Sequence, residues 1–108
     1  MATSSDPSQS YVSCDFEIFG TVQGVFFRKY TQEEATKLKL VGWVKNMPEG
    51  TVKGHMEGHK DNIDRMKTWL QTKGSPKSKI TKANFSNEHS ITTLTAKAFD
   101  VDRKNTNK

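Results

Sequence analysis

Across one nine-residue stretch, GTVQGVFFR at residues 20–28, the hydrophobic period changes from two to 3.6, and that change constrains the fold more than any other feature. Before it, Val12, Cys14, Phe16 and Ile18 alternate with Ser13, Asp15 and Glu17, the pattern of a strand buried on one face. After it, Phe27, Tyr30, Thr31, Ala35 and Leu38 recur at helical spacing, with charged residues between them as the wet face. A strand must therefore feed a helix through a turn, and the glycines at 20 and 24 supply backbone conformations that other residues avoid.

The rest of the chain extends this start into one domain. The runs at 41–46 and 51–58 are strand-like and are joined by Met47-Pro48-Glu49-Gly50, which predicts a hairpin. Asp61 is placed to N-cap a second helix with Ile63, Met66 and Leu70 on one face, Gly74 as its stop signal and Pro76 just beyond. Weaker strands are expected near 79–86 and 96–102. The order is that of the α+β, ferredoxin-like β-α-β-β-α-β plan, a sheet with both helices on one face. A chain of 108 residues has room for one core, and the Ser-rich, aperiodic start (1–10, expected to be disordered) and the polar end (103–108) leave the folded body at 11–102.

Composition narrows the function classes only loosely. Lys and Arg number 17 against 12 Asp and Glu, and the net charge of +5 favours anionic partners without choosing among them. Cys14 is the single cysteine, so no disulfide forms within the chain, and the start of the sequence has no signal-peptide pattern. No apolar run approaches the ~18 residues of a membrane span. These features predict a cytoplasmic protein with no membrane association, and for a domain this small a monomer.

The glycine loop leads into a helix start, where unpaired N–H groups and the positive end of the helix dipole together suit an anion. Arg28 stands in the first turn, and its guanidinium forks to two oxygens of one phosphate, as a lysine does not. The Walker pattern fails, because three residues separate Gly20 from Gly24 and no Lys follows. A cysteine-phosphatase cradle fails as well, since its nucleophile position holds Val22. Taken alone, the loop still reads either as a phosphate cradle or as a plain glycine turn beside a solvated arginine.

Asn46 bears on that choice. In the split plan the first and second strands run parallel with the third between them, so Asn46, at the end of the second, lies about 10 Å from the loop, two strand spacings of roughly 4.8 Å. Its carboxamide accepts from a water and donates to a phosphate, although it is no base at neutral pH. The alternative role for Asn46 is to cap the hairpin turn.

With both stretches in view, the sequence resembles the acylphosphatases. Gly20-Thr21-Val22-Gln23-Gly24-Val25-Phe26-Phe27-Arg28 is similar to the first signature of that family, and Gly42-Trp43-Val44-Lys45-Asn46, continuing through Gly50, Val52 and Gly58, is similar to the second. The segments at 74–76 and 84–88 resemble animal members, and the last strand, with Asp100 and Asp102, departs from the basic or aromatic ending common among them. The resemblance implies an open sandwich with an antiparallel sheet. It also implies hydrolysis of the carboxyl–phosphate bond of a small acyl phosphate; inorganic phosphate, the product, is expected to inhibit by occupying the same loop, and no metal or other cofactor is expected, because neither stretch offers a carboxylate or histidine cluster to hold one. Arg28 is implied to bind the substrate phosphate, the loop from Gly20 to Phe27 to cradle it, and Asn46 to position the attacking water.

Other features have plainer readings. His55-Met56-Glu57-Gly58-His59 has the wrong order and setting for a zinc-protease helix, which leaves His55, Glu57 and His89 as solvated polar residues. Cys14 reads as a small core residue, and Phe26, Phe27, Trp43 and Trp69 as core aromatics. The competing class is an RNA-binding module of the same plan without catalysis. It would need aromatics on the open face, where the pattern puts Ser13, Asp15, Glu17, Lys53, His55 and Glu57, so no nucleic-acid partner is expected.

Overall fold

The computed structural model describes residues 11–102, so the expected tails at 1–10 and 103–108 lie outside the described residues. The elements run β1 (Tyr11–Thr21), α1 (Phe27–Lys37), β2 (Val41–Asn46), β3 (Val52–His59), α2 (Lys60–Thr72), β4 (Lys79–Ile91) and β5 (Phe99–Asp102). One sheet in the order β4-β1-β3-β2-β5 carries both helices, with α1 over β2 and β5 and α2 over β1, β3 and β4. No helix among the described residues is long and apolar enough to cross a membrane.

The alternation in β1 decides which face the helices cover. Val12, Cys14, Phe16 and Ile18 are buried beneath them with Val44, Val52 and Met56, against Phe27, Thr31 and Ala35 of α1 and Ile63, Met66 and Leu70 of α2. Each large side chain sealed in this way contributes about 1.5–3 kcal/mol. Burial pushes the Cys14 thiol pKa up, as expected of a core cysteine. The β2–β3 turn closes as predicted, with the Gly50 N–H donating to the Met47 carbonyl at 3.0 Å.

Three expectations need correction. The sheet is mixed, because β5 pairs parallel with β2 (Gly42 opposite Phe99, Lys45 opposite Asp102) while the other pairs are antiparallel. The connection 92–98 must carry the chain from one edge of the sheet to the other, about 19 Å at four strand spacings. Its extended reach of roughly 25 Å leaves too little length to return along the strands as well. The chain therefore re-enters running opposite to β4, which is parallel to β2. Second, β4 runs beyond Ser86 to Ile91, with a register shift against β1 between Ser13 and Asp15 and Asn87 at φ 56. Third, Asp61 is not the N-cap of α2. β3 passes directly into the helix with His59 in that position, and Asp61 sits in the first turn, where its charge still meets the helix dipole.

The open face is less solvated than its sequence suggests. His55 meets Asp15 Oδ1 through Nδ1 at 2.6 Å and Glu57 Oε2 through Nε2 at 2.7 Å. Glu57 is only 2% exposed; its Oε1 accepts the Thr95 N–H at 2.7 Å and its Oε2 accepts the Thr95 hydroxyl. The strap 92–98 is thus fastened to β3. For each of the three charged groups burial is the largest single influence and disfavours ionisation, yet hydrogen bonding outweighs it. The bonds to Glu57 and Asp15 raise the His55 pKa, those from Thr95 and His55 lower that of Glu57, and those from His55 and Asn87 lower that of Asp15.

The signs define a pH window. A raised histidine pKa stabilises the fold fully below about 6.5 and is lost as pH climbs through the folded value; lowered carboxylate pKa values stabilise it fully above about 4.5 and are lost as pH falls through theirs. His55→Gln should therefore cost about 1–2 kcal/mol between these limits, a figure discounted for the part-exposed Asp15, and less on either side. Urea unfolding of both proteins across a pH series measures the difference. A deficit that is flat with pH would show that the bridge carries no charge.

Candidate active site

The loop between β1 and α1 takes its shape from residues that tolerate unusual backbone. Gly20 stands at φ +125, where a Cβ would lie 2.0 Å from the Lys79 carbonyl oxygen, so only glycine lets β1 pass β4 this closely. Gly24 follows at φ +75. Phe26 occupies the N-cap position of α1 in the left-handed conformation, φ 62 and ψ 25, at a cost of about 1–3 kcal/mol for a bulky residue. Among the described residues no side chain caps this helix, so its first amides are not taken up by a capping side chain.

Two polar side chains from different elements converge on this helix start. Arg28, in the first turn of α1, and Asn46, at the end of β2, line the same cavity of about 390 Å³, whose other walls are Val22, Gly24, Phe26, Phe27, Lys29 and Val101. Arg28 is half-buried, and its Nη1 donates to the Asp102 carbonyl at 3.0 Å, which uses one of five donors and fixes the guanidinium plane. The Asn46 Oδ1 is buried. The polar side chains of the cavity are therefore two cations and an amide. Among the described residues no group of three or more His, Cys, Asp or Glu side chains is placed to hold a metal ion.

The remaining loop residues divide into walls and supports. Val22 and Phe27 are each 1% exposed and join the core while also facing the cavity. Gly20, Thr21, Gln23 and Val25 are not among its walls. Gln23 is a brace: its Nε2 donates to the carbonyls of Met47 and Thr51, both at 2.8 Å, and so ties the loop to the turn that follows Asn46. Phe26 is 73% exposed and Trp43 37%, so neither is the core aromatic that its composition suggested. The role of β5 was also missed. Besides the Asp102 carbonyl on Arg28, the Phe99 carbonyl accepts from Gln32 of α1 at 2.8 Å. Backbone acceptors of this kind leave no mark in a sequence, whereas the polar side chain of Gln23 inside an otherwise apolar loop is a signal that could have been read.

The acylphosphatase family profile matches residues 14–101. The chain belongs to the acylphosphatase family. It is 56% identical to Acylphosphatase-1 of Mus musculus over 90 residues, covering 83% of this chain and 91% of that one. It is 50% identical to Acylphosphatase-2 of Homo sapiens over 94 residues, covering 87% and 95%. The solved structure of an acylphosphatase from Coxiella burnetii superposes with a TM-score of 0.77 at 29% identity, covering 94% of this chain and all of the other. The acylphosphatase fold expected from the sequence is thus present, with a mixed sheet, and the comparisons give no support to the RNA-binding alternative.

The brace yields a test that is separate from the cavity side chains. Gln23→Ala removes two hydrogen bonds of about 1 kcal/mol each, so the variant should unfold at lower urea concentration by roughly that sum. Its turnover should drop about tenfold, because Asn46 loses its fixed distance from the loop. Unchanged turnover in a folded, destabilised variant would mean that the brace serves stability alone.

Proposed function

We propose that this cavity hydrolyses acyl phosphates by direct attack of a positioned water on phosphorus, with no covalent intermediate. The chain is an acylphosphatase, and its products are a carboxylate and inorganic phosphate. The observation that carries the mechanism is the convergence of Arg28 and Asn46 on one cavity at an uncapped helix start. Loop and helix N–H groups hold the phosphate oxygens, and Arg28 adds a two-pronged, charged clamp on the equatorial oxygens. Asn46 accepts from the attacking water and aligns it opposite the leaving oxygen.

So few groups suffice because the leaving group is a carboxylate. Its conjugate acid has a pKa near 4, so the departing oxygen needs no proton at neutral pH. Phosphoryl transfer through a loose transition state then depends on alignment and on stabilising the equatorial charge. The proton of the water passes to a phosphate oxygen, since the cavity walls include no carboxylate or histidine to receive it. We read the enzyme as a cytoplasmic monomer without a nucleic-acid partner and as independent of metal. The last of these rests on the donor set, because Arg28 and Lys29 repel a divalent ion and one amide oxygen is too few ligands to hold it. Excess EDTA should accordingly leave turnover unchanged, and a loss restored by added Mg²⁺ would count against this reading.

The division of labour between the two side chains is tested by their alanine variants. Arg28→Ala should lose phosphate affinity and turnover together, with poor recovery in Arg28→Lys. Folded Asn46→Ala should still bind phosphate, and be stabilised by it against heat, while kcat falls about 100-fold or more. Calorimetric titration of phosphate beside kinetics measures both. If Asn46→Ala loses phosphate as fully as Arg28→Ala does, or keeps normal turnover, the assignment of the water to Asn46 is wrong.

A further inference from the structure

Phe26 is the one large side chain of the loop whose placement folding does not explain. It holds a left-handed backbone conformation that disfavours a bulky residue, and its ring is 73% exposed, so little burial compensates. The ring stands where two hollows meet. One is the cavity with Arg28 and Asn46; the other, of about 300 Å³, is walled by Val25, Tyr30, Pro76 and Lys77, and the two share Gly24 and Phe26.

The second hollow has the position and chemistry of a seat for the leaving group. In-line attack puts the departing oxygen opposite the water, and thus away from Asn46. Asn46 is absent from the second hollow, which is reached past Phe26 from the phosphate side. Its walls are mostly carbon, with two aromatic rings and a proline, and Lys77 supplies the one charge.

We propose that Phe26, with the hollow it shares with Tyr30 and Pro76, forms a subsite for the acyl group and favours aryl over short alkyl acyl phosphates. The inference rests on the phosphate-site reading above, since that site fixes the direction in which the acyl group points. An aryl ring stacked on Phe26 gains contact that a methyl group cannot make. Tyr30 and Pro76 line this hollow and not the phosphate cavity, so changes there alter discrimination between substrates and leave affinity for free phosphate alone, whereas Phe26 walls both.

The test compares kcat/KM for benzoyl phosphate and acetyl phosphate in the parent, in Tyr30→Ala and in Phe26→Asn, with competitive inhibition by inorganic phosphate measured in each. Asparagine is chosen because it tolerates the left-handed backbone. In Phe26→Asn the benzoyl-to-acetyl ratio should fall roughly fivefold to tenfold. Tyr30→Ala should lower the ratio a few-fold through benzoyl phosphate alone, with acetyl phosphate and phosphate inhibition unchanged. A ratio that stays at the parental value in both variants while phosphate still inhibits competitively would overturn the acyl subsite and leave the phosphate site standing. Absence of competitive inhibition by phosphate in the parent would overturn both.

Discussion

One side-chain nitrogen joins the loop before α1 to the turn that follows Asn46. Gln23 Nε2 donates to the carbonyls of Met47 and Thr51, and Thr51 O also accepts the Met47 N–H at 2.8 Å, so the loop between β1 and α1 and the turn that ends β2 share one hydrogen-bonded junction. A glutamate has no protons to give two carbonyls, and an asparagine is one methylene shorter. With the junction closed, Asn46 and the start of α1 move as a unit. The mechanism proposed above relies on this, because an ångström of error at the reacting centre costs orders of magnitude in rate.

The other half of the site depends on the edge of the sheet. Arg28 is held by the carbonyl of Asp102, at the end of β5, and Gln32 by that of Phe99, at its start. β5 reaches that place because the strap 92–98 crosses the open face and is fastened at Thr95 to the buried Glu57. A polar cluster on the open face thus fastens the connection that leads into the strand bonded to Arg28. The contact to Arg28 is made by the backbone carbonyl of Asp102, so it depends on the path of the strand.

Legibility in the sequence followed how local each cause was. The period-2 run of β1, the helical spacing after it and the Pro-Glu-Gly turn are all decided within a few residues, and each lies where expected. Arg28 and Asn46 could be brought together because strand order and strand spacing alone place them. What the sequence concealed was set by distant partners. Glu57 is buried because Thr95, 38 positions away, covers it, and the direction of β5 follows from the length of a connection rather than from any residue in it. The far half of β4 is polar in sequence because its burial pattern is mostly exposed, so no alternation marks it. Phe26 reads as core by composition, whereas the left-handed turn carries its ring outward.

The same division separates how chemistry and fold respond to pH. A guanidinium, carboxamides and peptide N–H groups keep one charge across the neutral range, and the carboxylate leaving group is unprotonated there. No group in the proposed mechanism therefore has to gain or lose a proton before the reaction begins. The histidine whose pKa is raised by its partners lies instead on the open face, where His55 is paired with Asp15 and Glu57, both held below the usual carboxylate range. That cluster supports the strap, the strap delivers β5, and β5 holds Arg28. In the proposed mechanism pH therefore acts through the stability of the sheet that carries Arg28, and not through an acid or base at phosphorus.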